Sequence, residues 1–205
     1  MSKIKLTKNE LKRQRDSLKQ YQHYLPTLLL KKQQMQMKIL EAKRLQAERQ
    51  SVLTEKLENM AKWTGLFADP EVDLKAWTTP TKVDVSYTNI AGANVPVFEQ
   101  IHFNEAEYDF YSTPFWIDKG LEEIRLMVEL LMEIDVIKRQ VAVLEKELRI
   151  TTQRVNLFEK VKIPECLENI RKIRIYLGDQ MANAVGISKV AKKKVDEKNL
   201  VMVMG

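Results

Sequence analysis

Glycine, cysteine and long apolar runs are scarce in this chain of 205 residues, and each scarcity removes a class of protein. Six residues are glycine, about 3% against the usual ~7%, which disfavours all-β folds and phosphate-cradling loops that need glycine in their turns. The one cysteine, Cys166, has no partner for an internal disulfide, so nothing calls for an oxidising compartment. No apolar run approaches the ~18–20 residues of a membrane span. The opening MSKIKLTKNELKRQR lacks the apolar core of a signal peptide. Nucleotide-cradle patterns such as GxxxxGK[ST] and GxGxxG are missing. So are HExxH, CxxC and any close His/Cys set, so no metal, cofactor or catalytic residue is expected. His23 and His102 fall in different segments and read as ordinary surface positions. The expectation is a cytoplasmic, mainly helical, non-enzymatic chain that is not compact.

An apolar fraction of 44% with 30% charged residues suits a folded chain. The net charge of +6 is unevenly spread: residues 1–62 hold 15 Lys/Arg against 6 Asp/Glu, whereas residues 63–117 hold 2 against 8. Basic character alone would fit nucleic acid, an anionic membrane surface or an acidic protein. The distribution divides the chain into a basic first helix (1–64), an acidic insertion (65–117), a second helix (118–178) and a terminal tip (179–205).

Between Asn9 and Thr64 there is no glycine and one proline, Pro26, among strong helix formers. A heptad ladder runs through Leu11, Leu18, Leu25, Lys32, Ile39, Gln46, Leu53 and Met60. Its companion row is Gln14, Tyr21, Leu28, Met35, Ala42, Arg49, Lys56 and Trp63. The second helix carries a cleaner seam. Met127, Leu130, Ile134, Ile137, Val141, Leu144, Leu148, Thr151, Val155 and Phe158 alternate spacings of three and four, the pattern that makes helices supercoil. The seam then resumes one residue late, at Ile163, Cys166, Ile170, Ile173 and Leu177, with Pro164 in the slip.

Each helix is long enough to span roughly 80–90 Å, and the two are expected to fold back as an antiparallel coiled coil in which paired residue numbers add to about 182. Pro26 and the Pro164 slip then fall near one level, where a bend or a loosened stretch is expected. Residues beyond Asp179 overhang the amino terminus. The acidic middle holds four of the six prolines. Val83–Tyr87 alternates like a strand and a second strand begins near Val95, so a β-hairpin is expected within 83–103. Pro96 should then sit on an outward edge or at a strand start. The carboxylates Asp69, Glu71 and Asp73 read as a solvated loop.

Lys3, Lys5, Lys8, Lys12, Arg13, Arg15 and Lys19 wrap around the first helix instead of lining one face, which argues against a phosphate-tracking site. Arg154-Val155-Asn156, then Glu159, then Ile163-Pro164 resembles the RVNxxExxxIP signature of the D-subunit family of V-type (vacuolar or archaeal-type) ATPases. Thr7–Leu11, Leu28–Lys32 and the Asn89, Gly92 and Val95-Pro96 positions are similar to that family's first helix and hairpin. Pro26 departs from its uninterrupted first helix.

The resemblance implies a long antiparallel two-helix coiled coil with a hairpin insertion, acting as a non-catalytic rotor. It implies a ring of A and B subunits around the termini, a small F subunit beside the coil, and a socket subunit above the membrane ion-translocating rotor. The chain would be peripheral to the membrane, with no nucleic acid and no direct insertion. Lys3, Lys5, Lys8, Lys192, Lys193 and Lys194 are the expected ring contacts, and Val83–Phe103 the expected contact with F or the socket. Two other classes stay open: a coiled-coil adapter, and a nucleic-acid-binding helical hairpin, whose affinity would fall steeply with salt.

Overall fold

A computed structural model describes residues 4–62, 65, 74–108 and 113–204, with the side chains of 198 and 200–204 excepted. Helix α1 runs Lys8–Ala61, followed by a short helix α2 (Leu74–Thr78), strands β1 (Pro80–Ile90) and β2 (Ala93–Phe103), and helix α3 (Ile117–Leu157). A five-residue π turn, Phe158–Lys162, joins α3 to helix α4 (Ile163–Met204). The carboxylates Asp69, Glu71 and Asp73 lie outside the described residues, as do Lys3 and Trp63. Residues 30–152 form one compact unit, and residues 1–29 with 153–205 form another.

In the unit of residues 30–152, α1 and α3 run antiparallel. Lys43 pairs with Glu145 at 2.7 Å, Arg49 with Glu133 at 2.9 Å and Lys56 with Glu123 at 3.0 Å. Such surface pairs, the last two part-buried, stabilise by about 1 kcal/mol or less each; their chief effect is on register. The apolar contacts lie between them. Leu53 and Met60 meet Met127, Leu130 and Ile134, while Met35, Ile39 and Ala42 meet Ile137, Val141 and Leu144. Buried Thr151 donates to the Met35 sulfur at 3.9 Å, so its hydroxyl is not stranded in the seam.

The first of these clusters is two-layered, the second three-layered. Ala93 and Val95 of β2 are buried in the Met35–Leu144 cluster, with Ile90 and Ala91 packed beside them. A pair of helices leaves its flanks open, and an isolated two-stranded hairpin is marginal in water, so each covers what the other cannot. The hairpin is longer than its clearest alternation, with Asn89 opposite Asn94 and Pro80 opposite Phe103. Ala91 and Gly92 form its two-residue loop, both at positive φ (51° and 84°), as a primed hairpin turn requires. Asn89 steadies that loop: its Oδ1 accepts from the Gly92 N–H at 2.9 Å, and its Nδ2 donates to Asn94. A side chain at Gly92 would come within 3.3 Å of the Lys31 ammonium, which shows how closely the loop lies on α1. Pro96 is buried in β2, tolerable because both strands of a two-stranded sheet are edges.

In the other unit, α1 and α4 are also antiparallel. Tyr21 and Phe158 rings lie 5.0 Å apart, and Asn169 donates to Gln14 at 3.5 Å. The π turn accounts for the seam's displacement. From Phe158 to Ile163 the gap is five residues, and the Ile163 N–H reaches back to the Phe158 carbonyl, the i→i+5 bond of a π turn. The extra residue is absorbed and α4 restarts with its apolar row facing inward: Cys166, Ile170 and Ile173 are all buried. Pro164 falls in the first turn of α4, where a missing N–H does least harm. Pro26 lies inside α1, which continues through it without interruption. Helix α4 also passes through residue 178 without interruption.

Truncating Leu144, which is fully buried, to alanine is expected to lower unfolding free energy by about 2–5 kcal/mol. Leu40→Ala, at a position 71% exposed, should change it by less than ~0.5 kcal/mol in the same urea titration. Deleting exposed Lys160 together with Pro164→Ala closes the five-residue gap to four. Amide exchange at 158–163 should then slow by roughly tenfold as an α-helix replaces the π turn; unchanged exchange would contradict the register argument.

Candidate functional site

Nothing in the described residues converges as a catalytic centre. No group of three or more His, Cys, Asp or Glu is placed to hold a metal among the described residues. Cys166 is buried in the seam, and burial, with Glu165 nearby, pushes its thiol further from ionisation. His23 stacks edge-on against Tyr24. The candidate site is therefore surface rather than pocket, and three regions present it.

The first is the base of the hairpin. Arg125 of α3 donates through Nε to the Trp77 carbonyl at 3.1 Å and through Nη2 to the Asn104 carbonyl at 2.6 Å. Its guanidinium also stands 5.3 Å from the Phe103 ring centroid. One side chain thus ties α2, the end of β2 and α3 together, and Tyr108 adds a hydrogen bond to Asp118. A lone arginine in a helix carries no sequence signal for such a role.

The second region is the hairpin's outer face. Asp84 sits between Lys82 at 2.6 Å and His102 at 2.9 Å, with Gln100 donating at 3.4 Å. These partners, Lys82 first, hold its carboxyl down at about 2. Tyr87 is 74% exposed on β1, and Phe115, just before α3, is fully exposed. Two large aromatic side chains held in water on a structured surface are candidate docking anchors. The hairpin does not project freely: its loop end is buried on α1 and α3, so only this outer face and the base are open to a partner.

The third region is the carboxyl-terminal part of α4. From Gly178 to Glu197 every residue is exposed, including Met181, Val185, Ile187, Val190 and Val195, each at least 56% exposed. Large apolar side chains exposed around a helix, with no described residue packed against them, mark a surface that lacks its partner. Lys192, Lys193 and Lys194 lie on this stretch, with Lys193 near Glu197 at 3.8 Å. Lys8 begins α1 exposed. Lys5, also exposed, lines a surface depression together with Arg13, Tyr21 and Lys162.

The remaining sequence candidates divide by burial. In the seam, Met127, Leu130, Ile134, Ile137, Val141, Leu144 and Val155 are buried, while Leu148 and Phe158 are half-buried. In the signature, Ile163 is half-buried, whereas Arg154, Asn156, Glu159 and Pro164 are exposed. The signature encloses the π turn.

The family model for the D subunit of ATP synthase matches residues 10–193. The chain is 43% identical over 199 residues to the V-type ATP synthase D subunit of Borreliella burgdorferi, covering 97% of this chain and 98% of that one. It is 37% identical to the V-type ATP synthase D subunit of Chlamydia felis, with 96% of each chain covered. With the protein of the same name from Chlamydia pneumoniae it shares 34%, covering 94% and 93%.

The Asp84 cluster yields a pH prediction. Because its folded pKa lies below the ordinary 3.8, its contribution is complete above that value and is lost as pH falls towards about 2. The carboxyl carbon of Asp84, followed by NMR, should titrate near 2. Asp84→Asn should abolish the change, and a midpoint near the ordinary value would contradict the cluster.

Proposed function

The chain belongs to the D-subunit family of ATP synthases, the central-stalk component of a rotary ATPase, and from that premise we propose which surfaces it uses to transmit rotation. As a rotor it couples ATP turnover in a catalytic ring to rotation of the membrane ion-translocating part, and it performs no catalysis itself. The ring is built of A and B subunits, which carry the nucleotide chemistry. The observation that carries this assignment is α4: some twenty consecutive exposed helical residues, with apolar side chains spread around the helix, fit a surrounding surface. Helices in proteins draw most of their stability from packing rather than from propensity. Lys3, Lys5, Lys8, Lys192, Lys193 and Lys194 face the ring in this proposal, supplying charge at its lining.

The unit of residues 30–152 takes the small F subunit and the socket subunit, with Tyr87 and Phe115 as anchors. No helix among the described residues is long and apolar enough to cross a membrane, and the chain reaches the membrane through the socket, as a peripheral part of a cytoplasmic assembly. The readings as an unrelated coiled-coil adapter or a nucleic-acid-binding hairpin are not favoured, since neither explains family similarity over nearly the whole length.

Rotation can alter the ring's sites only through contacts that differ from one orientation to the next. An asymmetric chain inside a pseudo-threefold ring supplies that difference. Truncation after Gly178 should therefore leave the seam folded, because the buried seam residues lie before it. It should lower ring-coupled ATP-driven ion transport by about tenfold or more, while F still co-purifies. Full coupling by the truncated chain would sink the assignment of α4, and loss of F instead would reverse the allocation of surfaces.

A further inference from the structure

The outer face of the hairpin is bounded by two edges, and they differ. On β2, Ala93, Val95 and Pro96 are buried, whereas on β1 Tyr87, Thr88 and Asn89 are exposed. The two-residue loop makes Ile90 and Ala93 a hydrogen-bonded pair, and in an antiparallel ladder every second residue then turns its backbone outward. Thr88 and Ser86 therefore bond across to Val95 and Val97, while Val85, Tyr87 and Asn89 direct their N–H and C=O groups away from β2. On β2 the outward positions are Asn94, Pro96 and Phe98. Pro96 has no N–H to offer, so the middle of that edge is blunted as well as buried. Nothing blunts β1 in the same stretch. Val85–Asn89 contains no proline and no charge, and the register shift between Asp84 and Val85 only bounds it. No described residue hydrogen-bonds the outward backbone groups of Val85, Tyr87 or Asn89. Three donors and three acceptors thus stand open over roughly 14 Å of strand.

We propose that β1 takes a third strand: an extended segment of the partner subunit that docks on this unit pairs with Val85–Asn89 and extends the hairpin to a three-stranded sheet. The inference rests on the rotary reading above and specifies how that partner is held, by main-chain hydrogen bonds with Tyr87 as a side-chain contact. Val85, Tyr87 and Asn89 share one face of the strand and Ser86 and Thr88 the other, and neither face offers a charge. The matching segment is about five residues long, uncharged at its centre and rich in β-branched or aromatic residues. In the rotary reading the chain stands singly, so the added strand belongs to a different subunit and not to a second copy.

The test is amide exchange in the complete complex, resolved to single residues by fragmentation mass spectrometry after quenching. In the free chain Val85, Tyr87 and Asn89 should exchange faster than Ser86 and Thr88. On assembly those three should slow by roughly tenfold more than Ser86 and Thr88. One partner peptide, uncharged at its centre, should gain protection with the same alternation. Equal slowing at all five positions, or no slowing in a stoichiometric complex, would overturn the added strand and leave the rotary reading intact. So would alternating protection that arises in the isolated chain as its concentration rises, which would give the edge to a second copy. Failure of the chain to assemble with any ATPase subunit would overturn the rotary reading itself. Two variants separate backbone from side chain: Tyr87→Pro removes the outward N–H without removing a β1–β2 hydrogen bond, and Tyr87→Thr keeps it. Partner affinity should fall roughly tenfold further with Tyr87→Pro than with Tyr87→Thr; equal losses would assign the contact to the side chain and reject strand addition.

Discussion

Two facing rows of side chains, one on α1 and one shared by α3 and α4, are the constraint on which the remaining features depend. Helix propensity alone makes α1 helical but gives it no partner; the row of buried positions does. The row holds because its spacing stays at three or four, and at the one place where it does not, a π turn takes up the extra residue. Without that turn, every inward residue of α4 would rotate by about 100°. Cys166, Ile170 and Ile173 would then face water, and charged neighbours would face Gln14 and Tyr21. Seam, proline and π turn are thus one device: the proline stands where the helix restarts.

A two-helix seam is narrow, and the hairpin is what widens it. Val95 is fully buried against the helices, so the insertion is a third layer of the core over part of α1 and α3. Its base is secured differently, by the polar reach of Arg125 to two backbone carbonyls. Apolar contact at one end and directed hydrogen bonds at the other fix the hairpin along the helices. That leaves its outer face, with Tyr87 and the Asp84 cluster, as the surface a partner can meet. The positive φ of Ala91 costs about 1 kcal/mol or more, tolerated because Ala91 packs on the core.

Much of this was legible in the sequence, for a physical reason: a period of 3.5 shows itself in one strand of text. The ladder on α1 names most of the residues found at least half-buried there, and every seam residue on α3 is at least half-buried, but the seam leaves out buried Ile117, Leu121 and Val136. The five-residue gap before Ile163 marked the irregularity, though not its kind. At Pro26 α1 runs on without interruption. The docking of the hairpin loop was not legible, because Val95 and Leu144 are ordinary apolar residues whose pairing depends on the path of the chain. The open edge of β1 was hidden for a related reason. Which of Val85–Asn89 turn outward is set by the loop at Ala91-Gly92 and the register that follows from it.

The central claim is that this chain turns inside its complex, and rotation can be watched directly. With the native thiol removed by Cys166→Ala, Lys138→Cys offers an exposed attachment point on α3 for a gold particle. The complex would be fixed to glass through its ring. On addition of ATP the particle should rotate in one direction, with dwells that lengthen as ATP is diluted. A particle that stays fixed while the same complexes consume ATP would contradict the account.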